Sequence, residues 1–423
     1  MPFAHLARTV LAMAGVLALT GAVATPAKAD DALAPTDGKV IITGHGWGHG
    51  RGMSQYGAYG AAKKGLTSSQ ILAFYYTGTT LGSLANDTMR VWIAADTDGK
   101  LHFRPESGLV VYDTAGKTVK LPAGKKYTKW RIARSGSTRV LTYRNTKGAY
   151  VKYSTKLSPT RSWQVKNTKT GAVKLAMPDL STRTYPGTLA LNFSGTSAIT
   201  VNYVKLETYL RSVVPAEMPA SWGSAANGGF EAVKAQAIAA RTYAVRTRAN
   251  KSSGSPYDIC DSSSCQVYKP LGYRSSISDS AISATAGSIV LYAGQPALTE
   301  FTSSNGGWSA NNPALPYLSA HEDPYEAFSG NPYATWTKTL TTAQLQSAYP
   351  AIGTFSSIQV SARTGVGPYA GAGRVTTILV TGDKGSVSVT GASFKSKFSL
   401  KETLFTLSLT PAPNPAAVTG KKS

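Results

Sequence analysis

Among the 423 residues of this chain, Glu217 has the clearest capacity for proton chemistry. It lies in Tyr209-Leu-Arg-Ser-Val-Val-Pro-Ala-Glu217-Met-Pro-Ala-Ser-Trp222, a carboxylate set among Val213, Val214, Pro215, Met218, Pro219 and Trp222. Apolar neighbours disfavour the ionised form, so such a Glu holds its proton to higher pH. A carboxyl still protonated near neutrality can serve as a general acid, for instance on a glycosidic oxygen. Spacing alone equally allows a surface or helix-capping carboxylate. Glu207 and Glu231, ten and fourteen residues away, read as ordinary strand and helix-surface residues, which leaves Glu217 without an evident partner carboxylate.

Three other groups carry chemistry. In the alanine-rich run after Glu231, Gln236, Ala240 and Tyr243 share one helical face, with Arg241 adjacent. Gln236, Arg241 and Tyr243 can hydrogen-bond a polar ligand; Arg241 can instead pair with a structural carboxylate, and Tyr243 can pack in the core. His45 and His49 have the i, i+4 spacing that binds zinc on a helix. Five interleaved glycines from Gly44 to Gly52 argue against a helix there, and the metal geometry fails with it. No Gly-Lys-Ser/Thr ending follows, so this is not a phosphate loop. Cys260 and Cys265 are the only cysteines. In an oxidising compartment a local disulfide is their simplest outcome, whereas a metal would need two further ligands from elsewhere.

The elements that must position these groups fall into units. Residues 1–29 read as an export signal: Arg8, an apolar run from Thr9 to Val23, then Ala27-Lys28-Ala29. The product would start at Asp30 and be secreted, cell-wall associated. Residues 38–82 hold a short strand, the glycine-dense run Gly44–Gly57 and two short helices, the second capped by Thr67. Residues 89–201 alternate apolar and basic residues in short runs, the pattern of antiparallel β structure. Residues 202–409 carry the Glu217 segment, a helix from Phe230 to about Asn250, the cysteines and later strands. Residues 411–423 form a Pro/Ala/Lys-rich tail expected to be disordered.

The formal charge is +23, and between Arg90 and Arg183 there are 20 Lys/Arg against 5 Asp/Glu. Such a surface attracts polyanions. Export argues against nucleic acid and for anionic wall polymers, peptidoglycan carboxylates or acidic lipid headgroups.

The Glu217 segment and the helix after it resemble the signature of the SpoIID/LytB family of peptidoglycan-acting proteins. Ser264-Cys-Gln266-Val-Tyr268 is similar to that family's Cys-Gln-x-Tyr box, and Phe301-Thr-Ser303-Ser304-Asn-Gly-Gly307 to its Ser-Ser-x-Gly-Gly box. The Phe394–Phe405 run resembles its closing element, and Gly44–Gly57, with His45, His49 and Gln55, its Gly-His-Gly box. In much of the family the Gly-His-Gly box follows the closing element; here it opens the chain, as circular permutation with a basic β insert would produce. That order requires Gly44–Tyr56 to pack beside the Phe394 element.

The resemblance implies an α+β fold: a SpoIID-like core with a mixed or antiparallel sheet and a long helix, plus an inserted β-rich domain. It implies a peptidoglycan lytic transglycosylase with Glu217 as acid and then base. Gln236, Arg241, Tyr243, Gln266, Tyr268, Ser303, Ser304, His45, His49 and Gln55 would contact glycan. The alternative is a non-enzymatic wall-binding amidase enhancer, with an amidase as partner. Some family members hold metal near the cysteine box through histidines; here Asp261-Ser-Ser-Ser264 supplies none, so a Cys260–Cys265 disulfide is preferred to zinc and no cofactor is expected.

Overall fold

The computed structural model describes residues 29–35, 38–368 and 373–409. The expected signal, apart from Ala29, and the expected tail at 411–423 lie outside the described residues. What is described is a mixed α+β architecture built on antiparallel sheets and a helical layer.

Alternation in the basic region does what period two requires. In Lys129–Ser135, Trp130 and Ile132 are buried while the cations flank them outward; Thr138–Arg144 pairs alongside, and Leu141 joins the same core. These strands belong to a six-stranded sheet that faces a seven-stranded one across an apolar layer including Phe103, Trp130, Trp163 and Val165. Lys129, Arg131, Arg134 and Arg144 are left partly or fully exposed, whereas Arg139 is buried and donates to Arg161 O (2.9 Å).

The seven-stranded sheet also leads to the helices. Strand Ser197–Lys205 crosses the boundary expected at 201/202, pairs with Thr188–Ser194 and Thr88–Trp92, and runs directly into a helix, Leu206–Glu217. Thr88–Trp92 in turn takes Ile259–Cys260 as a parallel neighbour. One apolar cluster runs through the sheets and the helical layer. Glu207, read from sequence as a strand residue, is therefore in the first turn of a helix. The proline at 215, which stands in the last turn and removes one backbone donor, concealed that helix.

Phe230–Ala249 is the central helix. Its alanines let Leu206–Glu217, Gln55–Lys63, Ser68–Tyr75 and Ser276–Ala284 approach closely. Thr67 and Gln70 form a reciprocal cap on Ser68–Tyr75.

A second, smaller core gathers Val40, Ile42, Leu340, Ile358, Phe394 and Phe405. Strand Lys39–Gly44 lies between Trp336–Thr341 and Phe405–Ser408, antiparallel to both. His45 N–H donates to Leu404 O (2.9 Å), Gly48 N–H to Lys401 O (3.1 Å), and Lys395 Nζ to Gly48 O. The glycine loop thus packs beside the Phe394–Phe405 run, the contact expected from the order of the motifs.

Candidate active site

Glu217 is the last residue of its helix. Its carboxyl is half-buried and opens into a cleft of about 430 Å³. Burial raises its pKa above the usual glutamate range, outweighing the hydrogen bond that Val267 N–H donates to Oε1 at 2.7 Å. The helix C-terminus, the negative end of the backbone dipole, acts in the same direction. Oε2 has no hydrogen-bond partner among the described residues and is available to a ligand.

The Val267 N–H is held in place from both sides. Gln266 is buried, accepting from Tyr209 Oη (3.0 Å) and donating to Ala240 O (3.2 Å). Tyr268 is buried between the Tyr185 and Tyr209 rings, its hydroxyl donating to Asn202 Oδ1 at 2.7 Å. Cys260 and Cys265 form a disulfide just before this stretch. A metal does not fit here: both sulfurs are joined to each other, and Asp261 Oδ1 accepts from Ala94 N–H. Among the described residues no three His, Cys, Asp or Glu side chains gather into a metal-holding group.

The opposite wall is the glycine loop and the strand Phe301–Thr302. A side chain at Gly48 (φ +125°) would meet Thr302 Oγ1 at 2.0 Å, and one at Gly52 (φ +66°) the carbonyl of Glu300 at 1.9 Å. Glycine at both positions lets the loop lie directly on that strand. The loop presents Trp47, His49 and Arg51 to the cleft. Arg51 clamps Glu300 with two bonds, Nε to Oε2 at 2.8 Å and Nη2 to Oε1 at 3.0 Å, and Asn312 adds a longer one at 3.3 Å. Burial opposes ionisation of Glu300, but Arg51 outweighs it and holds the carboxyl below the glutamate range. His49 is pushed down to about 4 by burial and by Arg51. Its Nδ1 accepts from Arg51 N–H (3.1 Å), so the neutral ring carries its proton on Nε2. Burial raises Tyr243, as do the charges of Glu300 and Glu217, which places the phenol near both carboxylates.

Of the residues expected from sequence to contact glycan, Tyr243, His49 and Ser303 line the cleft with Glu217. The others do not. Arg241 is fully buried and grips Glu207 with two 2.8 Å bonds, so it is structural. Gln55 and Gln236 are buried against each other, Nε2 to Oε1 at 3.3 Å. Ser304 is buried on Glu326 at 2.5 Å, and that carboxylate also receives Ser54 Oγ and Asn305 N–H, fixing the turn from outside the cleft. His45 donates Nδ1–H to Ala334 O at 2.5 Å, away from Glu217. Gln266 and Tyr268 position Val267 instead of lining the cleft. Sequence reasoning missed Trp47, Arg51 and Glu300. Trp47 and Arg51 stand inside the glycine loop, and Glu300 immediately precedes the Phe301 box; that adjacency was the available signal.

The SpoIID family model, described as Stage II sporulation protein, matches residues 194–292, the stretch holding Glu217, the central helix and the disulfide. That match and the relatives below support a SpoIID/LytB assignment for this stretch. It is 34% identical over 141 residues to the "Amidase enhancer" of Bacillus subtilis (strain 168), covering 32% of this chain and 17% of that protein. It is 34% identical over 167 residues to Stage II sporulation protein D of the same organism (34% and 46% covered), and 30% over 188 residues to that of Bacillus amyloliquefaciens (40% and 53%). The chain thus spans about half, or less, of the length of these relatives. No solved structure matches it.

Proposed function

We propose that this protein is a secreted, wall-associated peptidoglycan lytic transglycosylase. The observation that carries the reading is Glu217: a carboxyl whose pKa burial raises, fixed at one oxygen and open at the other to a cleft. Protonated Glu217 donates to the oxygen linking N-acetylmuramic acid to the next N-acetylglucosamine, and the C1–O bond breaks as positive charge develops at C1. The muramyl 6-hydroxyl then bonds to C1 and returns its proton to Glu217, leaving a 1,6-anhydro end. No water is consumed and the acid is regenerated.

Glu300 changes the expectation of an isolated carboxylate, because two line the cleft. Its environment and that of Glu217 push the two groups apart, one toward the acid and one toward the anion. Both Glu300 oxygens are engaged by Arg51. That suits a fixed negative charge facing the developing cation better than a base that must take a proton from water, so the anhydro route is favoured over hydrolysis. In this reading the enzyme has no resident metal.

The name of the amidase-enhancer relative favours a second reading, wall binding that stimulates an amidase. Mass spectrometry of digested sacculi separates them. Anhydro-muramyl ends support the transglycosylase, new reducing ends indicate a hydrolase, and stimulation of an added amidase with no glycan product indicates the enhancer.

A further inference from the structure

Trp47, on the cleft wall and 46% exposed, begins a line of aromatic rings that leads away from Glu217. It meets Tyr333 at 4.7 Å between ring centres; Tyr333 meets Tyr56 at 5.5 Å, and Tyr56 meets Trp222 at 4.8 Å. Trp222 stacks on Tyr59 at 4.6 Å with planes 13° apart. Between Trp47 and Trp222 the rings are partly exposed, so the line is a surface. It ends in a separate cavity of about 520 Å³, whose walls include Trp222, Tyr59, Phe328, Lys63 and Lys64 and no carboxylate. Lys63 is exposed, lies over the Tyr59 and Phe328 rings at 5.5 and 6.0 Å, and forms no ion pair among the described residues. At the near end Lys401 lies over Tyr333 (4.9 Å) and Trp47 (5.6 Å).

Flat aromatic faces with ammonium groups at either end fit a chain of sugar rings that carries carboxylates at intervals. We infer that this line and the Lys63 cavity form a second, remote binding site for the glycan strand being cut, and that the cavity takes an acid-bearing muramyl unit, its lactyl or stem-peptide carboxylate facing Lys63. The inference rests on the proposed glycan-cleaving function. It adds that the substrate is a strand still carrying carboxylates, engaged several sugars from the scissile bond.

The test uses the full chain carrying Glu217→Gln, so that ligands bind without being cut. Its affinity is measured by calorimetry for a peptidoglycan tetrasaccharide and octasaccharide and for N-acetylglucosamine oligomers of the same lengths. The peptidoglycan octasaccharide is expected to bind about tenfold tighter than the tetrasaccharide. Adding Lys63→Glu should cut that ratio to about threefold or less for peptidoglycan and leave the N-acetylglucosamine ratio unmoved; Phe328→Ala should lower both. If peptidoglycan length gains the same affinity in both variants, the remote site is wrong while cleavage by the parent protein still stands. If no glycan of either length binds and the parent cuts none, both the remote site and the proposed function fall.

Discussion

Burial raises the Glu217 pKa above that of a water-exposed glutamate, so it keeps its proton to higher pH. Activity should therefore fall as pH rises through the elevated Glu217 pKa, while Glu300, held low by Arg51 against the pull of burial, stays ionised across that range. The same shift acts on stability. A folded-state pKa above the unfolded one favours the fold fully below the ordinary value of 4.5, and that contribution is lost as pH rises through the folded value. Glu217→Gln should thus cost roughly 10²–10⁴ in turnover. Yet its Tm at pH 7–8 should equal or exceed the parent's, the advantage vanishing below about pH 4.5. A variant that keeps a tenth or more of the activity moves the acid elsewhere. Composition made Glu217 legible because its apolar neighbours are contiguous in sequence. Glu300 was not legible, since its partner Arg51 is 249 positions away and only the folded glycine loop joins them.

At the scale of elements, spacing identified the Phe230 helix but not what its faces meet. Arg241 and Gln236 fall toward other helices, and Tyr243 toward the cleft. The partner of Arg241 sits on the helix that Pro215 concealed, so the pairing could not be seen from sequence. Arg241→Met should destabilise the fold by about 3–5 kcal/mol, because it leaves Glu207 without its cation in a half-buried place. Denaturant midpoints should fall while KM of the folded fraction holds; a rise in KM at unchanged stability would return Arg241 to substrate binding. The cysteine loop is tested separately. Intact protein should show no titratable thiols and no stoichiometric zinc, and Cys260→Ser with Cys265→Ser should cost about 2 kcal/mol for so short a loop. Two free thiols with one bound zinc would reverse that assignment.

Over the whole molecule, strand alternation was readable because apolar and basic residues take turns; the sheet that carries Ser197–Lys205 into the Glu217 helix was not, since pairing partners leave no local mark. Under the proposed function, the exposed cations of this region would hold the protein on anionic wall polymers. Retention on purified sacculi should weaken steeply as salt shortens the screening length from about 8 Å to about 3 Å. Charge reversal at Lys117, Lys120, Lys125 and Lys126, all exposed, should mimic high salt. Retention indifferent to salt would remove the β region from wall binding. The placement of Lys39–Gly44 between Trp336–Thr341 and Phe405–Ser408 also sets an order of assembly. Gly44 is registered against Phe405, so the wall bearing His49 and Arg51 cannot settle until a segment about 360 residues further along has been made. Contacts of such sequence separation fold slowly. Under the proposed function, a chain truncated before Leu404 would keep its acid and the Lys63 cavity but lack the wall opposite Glu217, and should hold glycan without cutting it.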